Sequence, residues 1–283
     1  MCDQDHFEND LKRYSRRDMG SMAAAAGVGA AMFLPAVANA AEVDDQDVTI
    51  DTPDGSCDAY FVAPTSGEHA AVLIWPDIFG LRPAFRQMGK RLAENGYSVL
   101  VVNPFYRKQK APTADKGANT PIPEVRPLAR SLTPETQSTD ANAFITWLDK
   151  QPQVDTSKKV GTTGYCMGGP IVMRTAAAVP GRVGAACTFH GGGLVTNQDD
   201  SPHLLIPKME AQFLIAIAEN DDERDPELKT VLKEAFADAN LKAEIEVYPA
   251  GHGWCPPDTR VHNPEQAEKA WSRMLALFEK TLA

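Results

Sequence analysis

A glycine-flanked cysteine stands where a strand is expected to turn into a helix. Cys166 lies within VGTTGYCMGG (160–169), between Gly164 and Gly168. A strand, sharp turn and helix in this order project the central side chain at the helix N-terminus. The exposed N–H groups and helix dipole there favour a thiolate, which is a strong nucleophile. The turn therefore predicts a nucleophilic cysteine, and the alternative is a glycine-rich packing turn around a buried cysteine.

Two later segments supply an acid and a base. QFLIAIA (212–218) is followed by Glu219-Asn220-Asp221-Asp222, and AEIEVYPAGHGW (243–254) places His252 in a glycine-flanked loop. The chain order nucleophile, acid, histidine, each just past a strand, is that of α/β-hydrolases. We favour Asp221 over Asp222 as the acid because it is nearer the strand end, and Asp222 stays open. A hydrolytic Cys166-Asp221-His252 triad is predicted.

The strands and helices that must position these residues are predicted to alternate along the chain. An opening β-hairpin is followed by apolar runs such as AVLIWP (71–76), and amphipathic segments of 10–15 residues separate these runs. Continuous apolar runs are typical of strands covered on both faces. The pattern predicts an α/β fold with a mostly parallel sheet and helices on both faces. The proline- and charge-rich segment 105–132 is expected to be a long irregular loop, either functional or mobile.

Three motifs together resemble the dienelactone hydrolase family, a branch of the α/β-hydrolase fold. They are GYCMGG (164–169), WPDIFG (75–80) and YPAGHGW (248–254), and the resemblance covers roughly Thr49 to Leu282. It implies cleavage of a carboxylic ester or lactone, as in carboxymethylenebutenolidases, through a cysteine acyl-enzyme and without a cofactor. It also implies an oxyanion hole formed by the backbone N–H groups of Met167 and Ile78, which agrees with the usual positions of these donors.

The same resemblance suggests substrate contacts. Asp77 stands where dienelactone-cleaving members have a glutamate, and Arg107 could stand for one of their two substrate-gripping arginines. Pro256 occupies the expected place of the second arginine, with Arg260 further on. Trp254 could wall an apolar pocket, although large aromatic residues are more often core. The missing arginine predicts that neutral esters or lactones compete well with carboxylated ones.

The first forty residues are predicted to be a twin-arginine signal peptide. Arg16-Arg17 precede an apolar, small-residue run, and Ala38-Asn39-Ala40 offers a cleavage site. These are a charged region, an apolar region and a processing site in the required order. We expect transient use of the twin-arginine export machinery and a periplasmic enzyme domain spanning residues 41–283. The weaker alternative is a membrane anchor at minimal spanning length.

Composition excludes several function classes. A net charge of −10 argues against nucleic-acid binding, which needs a basic surface. His252 and Cys255 lack a second pair at ligand spacing, so we expect no metal site. We expect a monomer with a small-molecule substrate and no stable membrane insertion. A thioesterase or peptidase with the same triad, a non-catalytic binding module of this fold, and disulfides among Cys57, Cys187 and Cys255 stay open.

Overall fold

A computed structural model describes residues 8–10, 12–14 and 40–282. Arg16-Arg17 and nearly all of the predicted leader lie outside the described residues, so the leader stays a prediction. The described N-terminal residues are helical and contact the loops at the site edge of the sheet. Arg13 pairs with Glu223, and the Tyr14 hydroxyl donates to Glu219.

In the described part of the chain, eight strands form one sheet in the order β1-β2-β4-β3-β5-β6-β7-β8. The first two form the predicted hairpin, and β2 also pairs antiparallel with β4. All remaining neighbours are parallel, which places the carboxyl ends of β3 to β8 along one edge. The strands are β1 Val43–Thr52, β2 Gly55–Pro64, β3 Ala71–Trp75, β4 Ser98–Val102, β5 Val160–Tyr165, β6 Val183–Phe189, β7 Gln212–Ala218 and β8 Ala243–Tyr248.

Helices cover both faces of this sheet, as the alternating pattern predicts. They are α1 Pro83–Glu94, α2 Ile122–Arg130, α3 Pro134–Leu148, α4 Gly168–Ala178, α5 Glu219–Arg224, α6 Leu228–Asp238 and α7 Pro264–Thr281. Phe144 of α3 and Val172 of α4 belong to one buried cluster, and Phe85 of α1 and Phe278 of α7 to another. Successive residues of β3 alternate between the two clusters, so the strand is buried on both sides. The mostly parallel α/β architecture is confirmed.

The segment 105–132 is more ordered than its composition suggests. It contains a 3-10 turn at Gly117–Asn119 and helix α2. Ile122 and Val125 of α2 pack against Ile78 and Phe79 in a small buried cluster. The expectation of an irregular loop is therefore wrong for this helix, because burial against the loop after β3 compensates for its prolines.

The loop that carries the two candidate acids contains a short helix. The residues that follow β7 form helix α5, which ends before Asp225, and α6 begins at Leu228. Among the described residues, no helix is both long and apolar enough to cross a membrane.

Candidate active site

Cys166 sits in a strained turn that only small neighbours permit. Its φ is +52°, a left-handed value that is uncommon for a residue other than glycine. A Cβ on Gly164 would lie 2.3 Å from the Gly168 carbonyl oxygen, and one on Gly168 would lie 2.3 Å from the Trp75 carbonyl oxygen. The glycines therefore let β5, α4 and the end of β3 approach closely. Cys166 is 5% exposed, and its amide donates to the Phe189 carbonyl at 3.0 Å.

Asp221 and His252 are joined across the ends of β7 and β8. Asp221 Oδ2 lies 2.6 Å from His252 Nδ1. Both side chains are about one-fifth exposed, at 21% and 17%. Arg224 Nη1 donates to the other Asp221 oxygen at 3.2 Å, which leaves the carboxylate with two partners. A carboxylate at this nitrogen fixes the orientation of the ring and stabilises its protonated form.

Asp222 faces a different partner. Its Oδ1 accepts a hydrogen bond of 2.6 Å from Nζ of Lys229, the second residue of α6. The structure thus brings Asp221, rather than Asp222, to His252. A surface pair such as Asp222–Lys229 contributes little to stability.

A second imidazole lies between the cysteine turn and the histidine loop. His190 directly follows β6, is 1% exposed and has a φ of +42°. Its ring centroid is 5.2 Å from that of His252 and 4.9 Å from that of Trp254. Burial, and secondarily the neighbouring His252, hold the pKa of His190 well below its usual range. His190 is therefore neutral, and within the described residues neither of its ring nitrogens has a hydrogen-bond partner.

The two proposed oxyanion donors belong to loops that touch. Met167 is the N-cap residue of α4, and Ile78 is a buried residue in the loop after β3. The close approach of Gly168 to the Trp75 and Pro76 carbonyls packs these two loops together. A donor after the nucleophile and a donor after an earlier strand are the usual pair. Their role stays a prediction.

Asp77 is bound within the protein by Arg82. Arg82 donates to both Asp77 oxygens, at 2.7 and 2.9 Å, and to both oxygens of Asp258. Burial raises the pKa of Asp77, and Arg82 opposes that rise. The network of Asp77, Arg82 and Asp258 links the loop after β3 to the loop after His252. Two carboxylates and one guanidinium give it a net charge of −1 when all three are ionised.

Arg107 and Trp254 also have partners within the protein. Arg107 binds Asp54 and Asp140 through both arms of its guanidinium. Trp254 is fully buried and stacks on Tyr248 with ring centroids 5.3 Å apart. These contacts neither support nor exclude substrate binding by Arg107 or Trp254, so both roles stay predictions.

Sequence reasoning did not single out Arg82, Asp258 or Asn220. Asn220 Oδ1 accepts a 2.8 Å hydrogen bond from the His252 backbone N–H. Arg82 is the charged residue of the otherwise apolar run LRPAF (81–85), and this contrast could have drawn attention to it. Its partner Asp258 lies 176 residues away, so no local pattern could reveal the pair.

The cysteines other than Cys166 suggest no further chemistry, and the described residues contain no candidate metal site. Cys57, Cys187 and Cys255 are buried and form no disulfide in the described part of the chain. Burial raises the pKa of Cys187 and Cys255 far above the usual value, so both are protonated thiols. No group of three or more His, Cys, Asp or Glu side chains suited to a metal occurs among residues 8–10, 12–14 and 40–282.

A parallel sheet with a strained cysteine turn after β5 and a paired acid and histidine after β7 and β8 defines an α/β-hydrolase. The dienelactone hydrolase family model matches residues 57–282, so the chain belongs to that family. It is therefore a hydrolase of carboxylic esters or lactones.

Individual relatives agree with this assignment. A carboxymethylenebutenolidase from Rhodococcus opacus is 28% identical over 221 residues, covering 77% of this chain and 83% of the relative. A Synechocystis sp. protein assigned to the same activity is 28% identical over 245 residues, covering 83% and 96%. The fold is similar to that of a Klebsiella pneumoniae protein assigned as a dienelactone hydrolase, with a TM-score of 0.75, 24% identity, and coverage of 84% and 99%.

Proposed function

We propose that the protein cleaves a carboxylic ester or lactone through a thioester on Cys166. His252 removes the thiol proton, and Sγ attacks the substrate carbonyl. The amides of Met167 and Ile78 hold the resulting oxyanion. As the tetrahedral intermediate collapses, the carbon–oxygen bond breaks and the His252 imidazolium returns the proton to the leaving oxygen.

Water completes the reaction. His252 takes a proton from water, whose oxygen attacks the thioester carbonyl. The carbon–sulfur bond breaks, the carboxylic acid departs, and the Cys166 thiolate recovers its proton from His252. Asp221 holds the ring with Nδ1 protonated throughout and stabilises the imidazolium. The observation that carries this proposal is the 2.6 Å Asp221–His252 bond at the sheet edge where the strained Cys166 turn lies.

We further propose that the acyl substrate is neutral. Support comes from the charges near the site. Arg107 is bound by two carboxylates, and Arg82 is shared between Asp77 and Asp258. An anionic substrate group would need one of these paired cations or the exposed Arg260, which donates to the Asn119 side chain, and burying the anion without a partner is costly.

The test is a panel of short neutral esters and lactones beside a carboxylated dienelactone, assayed on wild type, Cys166→Ala and Arg107→Ala. Cys166→Ala should lose about 10⁴–10⁶ in rate, as expected when a nucleophile acting with its base is removed. Neutral substrates should reach kcat/KM values at least equal to that of dienelactone, and Arg107→Ala should change these by less than about tenfold. Full activity of Cys166→Ala would refute the mechanism. A strong dienelactone preference abolished by Arg107→Ala would refute the substrate class.

Export and residence in the periplasm also belong to this proposal. They rest on Arg16-Arg17, the apolar run and the Ala38-Asn39-Ala40 site. A thioester and a short peptide added to the same substrate panel distinguish the alternatives of a thioesterase or peptidase.

A further inference from the structure

The backbone around His252 has little intrinsic rigidity. Gly251 precedes the histidine and Gly253 follows it, the latter with a φ of +101°. Glycine has the widest conformational range of any residue, so this loop has many alternatives to the observed backbone. The hydrogen bond to Asp221 fixes the ring, but it does not fix the main chain that carries the ring.

Hydrogen bonds from the turn after β7 restrain the backbone of the loop that carries His252. The Glu219 amide donates to the Ala250 carbonyl at 3.0 Å, and the His252 amide donates to Asn220 Oδ1 at 2.8 Å. Together with the 2.6 Å Asp221 bond, three consecutive residues hold the histidine loop at three points. Glu219 and Asn220 act on the main chain, and Asp221 acts on the ring.

We propose that Asn220 is a positioning residue for the reaction, acting through the backbone of His252. It fixes the main chain of the base, while its neighbour Asp221 fixes the side chain. This inference rests on the proposed function, because it assigns His252 the role of base. A base must lie within hydrogen-bond reach of the proton it moves, so small displacements of its backbone reduce the rate.

The burial of Asn220 argues against a role in stability alone. The residue is 2% exposed, and within the described residues its Nδ2 has no hydrogen-bond partner. A buried donor without a partner costs stability. Of the two polar atoms of the Asn220 amide, only the oxygen has a hydrogen-bond partner here, and that partner is the His252 backbone. Leucine has nearly the same shape and would remove the unpartnered donor together with the useful acceptor.

The experiment compares Asn220→Leu with Asn220→Asp in the full chain. Leucine removes the acceptor oxygen, whereas aspartate keeps it in the same place. Asn220→Leu should lower kcat about 10- to 100-fold with KM within about threefold, since misplacing a catalytic group by ~1 Å costs about 10² in rate. Its melting temperature should stay close to that of wild type. Asn220→Asp should recover most of the lost kcat. Asn142→Leu is the matched control, because Asn142 is exposed and its amide donates only within α3, to Ser138.

A second readout needs no substrate. The rate of Cys166 alkylation by iodoacetamide, followed by mass spectrometry against pH, reports formation of the thiolate. In Asn220→Leu alkylation should be slower at neutral pH than in wild type, because a displaced His252 assists ionisation of the thiol less. If wild type cleaves no ester, the proposed function fails, and the alkylation profile still tests Asn220.

Three results would overturn the inference. One is wild-type kcat together with a wild-type alkylation profile in Asn220→Leu. Another is equal loss in the leucine and aspartate variants when the aspartate variant keeps the wild-type melting temperature, which would show that the acceptor oxygen is not what matters. A parallel fall of activity and melting temperature in Asn220→Leu, with an unchanged alkylation profile, would likewise assign Asn220 a purely structural role.

Discussion

The two adjacent aspartates after β7 have different partners, and this difference has a measurable consequence. Asp221→Asn should lower kcat/KM by orders of magnitude, up to about 10⁴, because an amide cannot hold the His252 ring in the required tautomer. Asp222→Asn removes only the charge that pairs with Lys229 and should change kcat/KM by less than about tenfold. Steady-state kinetics on both variants make the comparison, and the reverse ranking would make Asp222 the acid.

The buried neutral His190 should make the fold sensitive to mild acid. Its pKa is lowered in the folded protein, whereas in the unfolded chain it returns to about 6.5. As pH falls below about 6.5, the unfolded state therefore binds a proton that the folded state excludes, and stability decreases by up to about 1.4 kcal/mol per pH unit.

Denaturant unfolding at pH 7.5 and 5.5 measures this effect. Wild type should lose more stability between the two values than His190→Phe, which keeps an aromatic ring without the titrating group. His262, whose pKa burial also lowers, is present in both proteins, so its contribution cancels. An identical pH dependence in the two proteins would show that folding does not lower the pKa of His190.

At the level of elements, the cysteine turn depends on glycines that have no room for a side chain. Gly168→Ala would place a methyl group 2.3 Å from the Trp75 carbonyl oxygen, so β3 and α4 must separate. The expected loss is about 1–3 kcal/mol of unfolding free energy or more, with impaired activity because Met167 and Cys166 move as well.

Gly181→Ala is the matched control. A Cβ there meets no atom within 4 Å, so the unfolding free energy should change by no more than about 0.5 kcal/mol. Thermal and denaturant unfolding of both variants provide the test. If the two variants have equal unfolding free energies, β3 and α4 can separate at Gly168 without loss of stability, contrary to this prediction.

The sequence predicts elements well where local pattern decides them and poorly where distant partners decide. The apolar runs of β3 and β7 and the glycine turn at Cys166 are readable because burial and sharp turns restrict residue type locally. Chain order was enough to indicate Asp221 and His252, which the structure joins. Helix α2 was missed, because it depends on burial against Phe79, about 45 residues earlier in the chain. The pairing of Arg82 with Asp258 has no local signal at all.

For the whole molecule, the main prediction concerns the route of export. Replacing Arg16 and Arg17 with lysine keeps the positive charge but removes the twin-arginine pair. Precursor should then accumulate in the cytoplasm, while wild type should yield a periplasmic form beginning near Ala41. Fractionation with N-terminal sequencing distinguishes the two, and normal periplasmic accumulation of the lysine variant would exclude this route.

Within the described residues, β1 is an edge strand that pairs with β2 on one side only, and its exposed residues are mostly acidic. Asp44, Asp45, Asp47 and Asp51 are all exposed along ten residues of strand, and Asp47 is the one of the four in an ion pair with Arg86. The free edge of a strand is a template on which another chain can add a strand, and like charges along that edge oppose the addition. The domain should therefore resist aggregation at concentrations where an uncharged edge strand would nucleate fibrils. High salt, which screens the repulsion between these exposed charges, should be the condition under which this protection fails first.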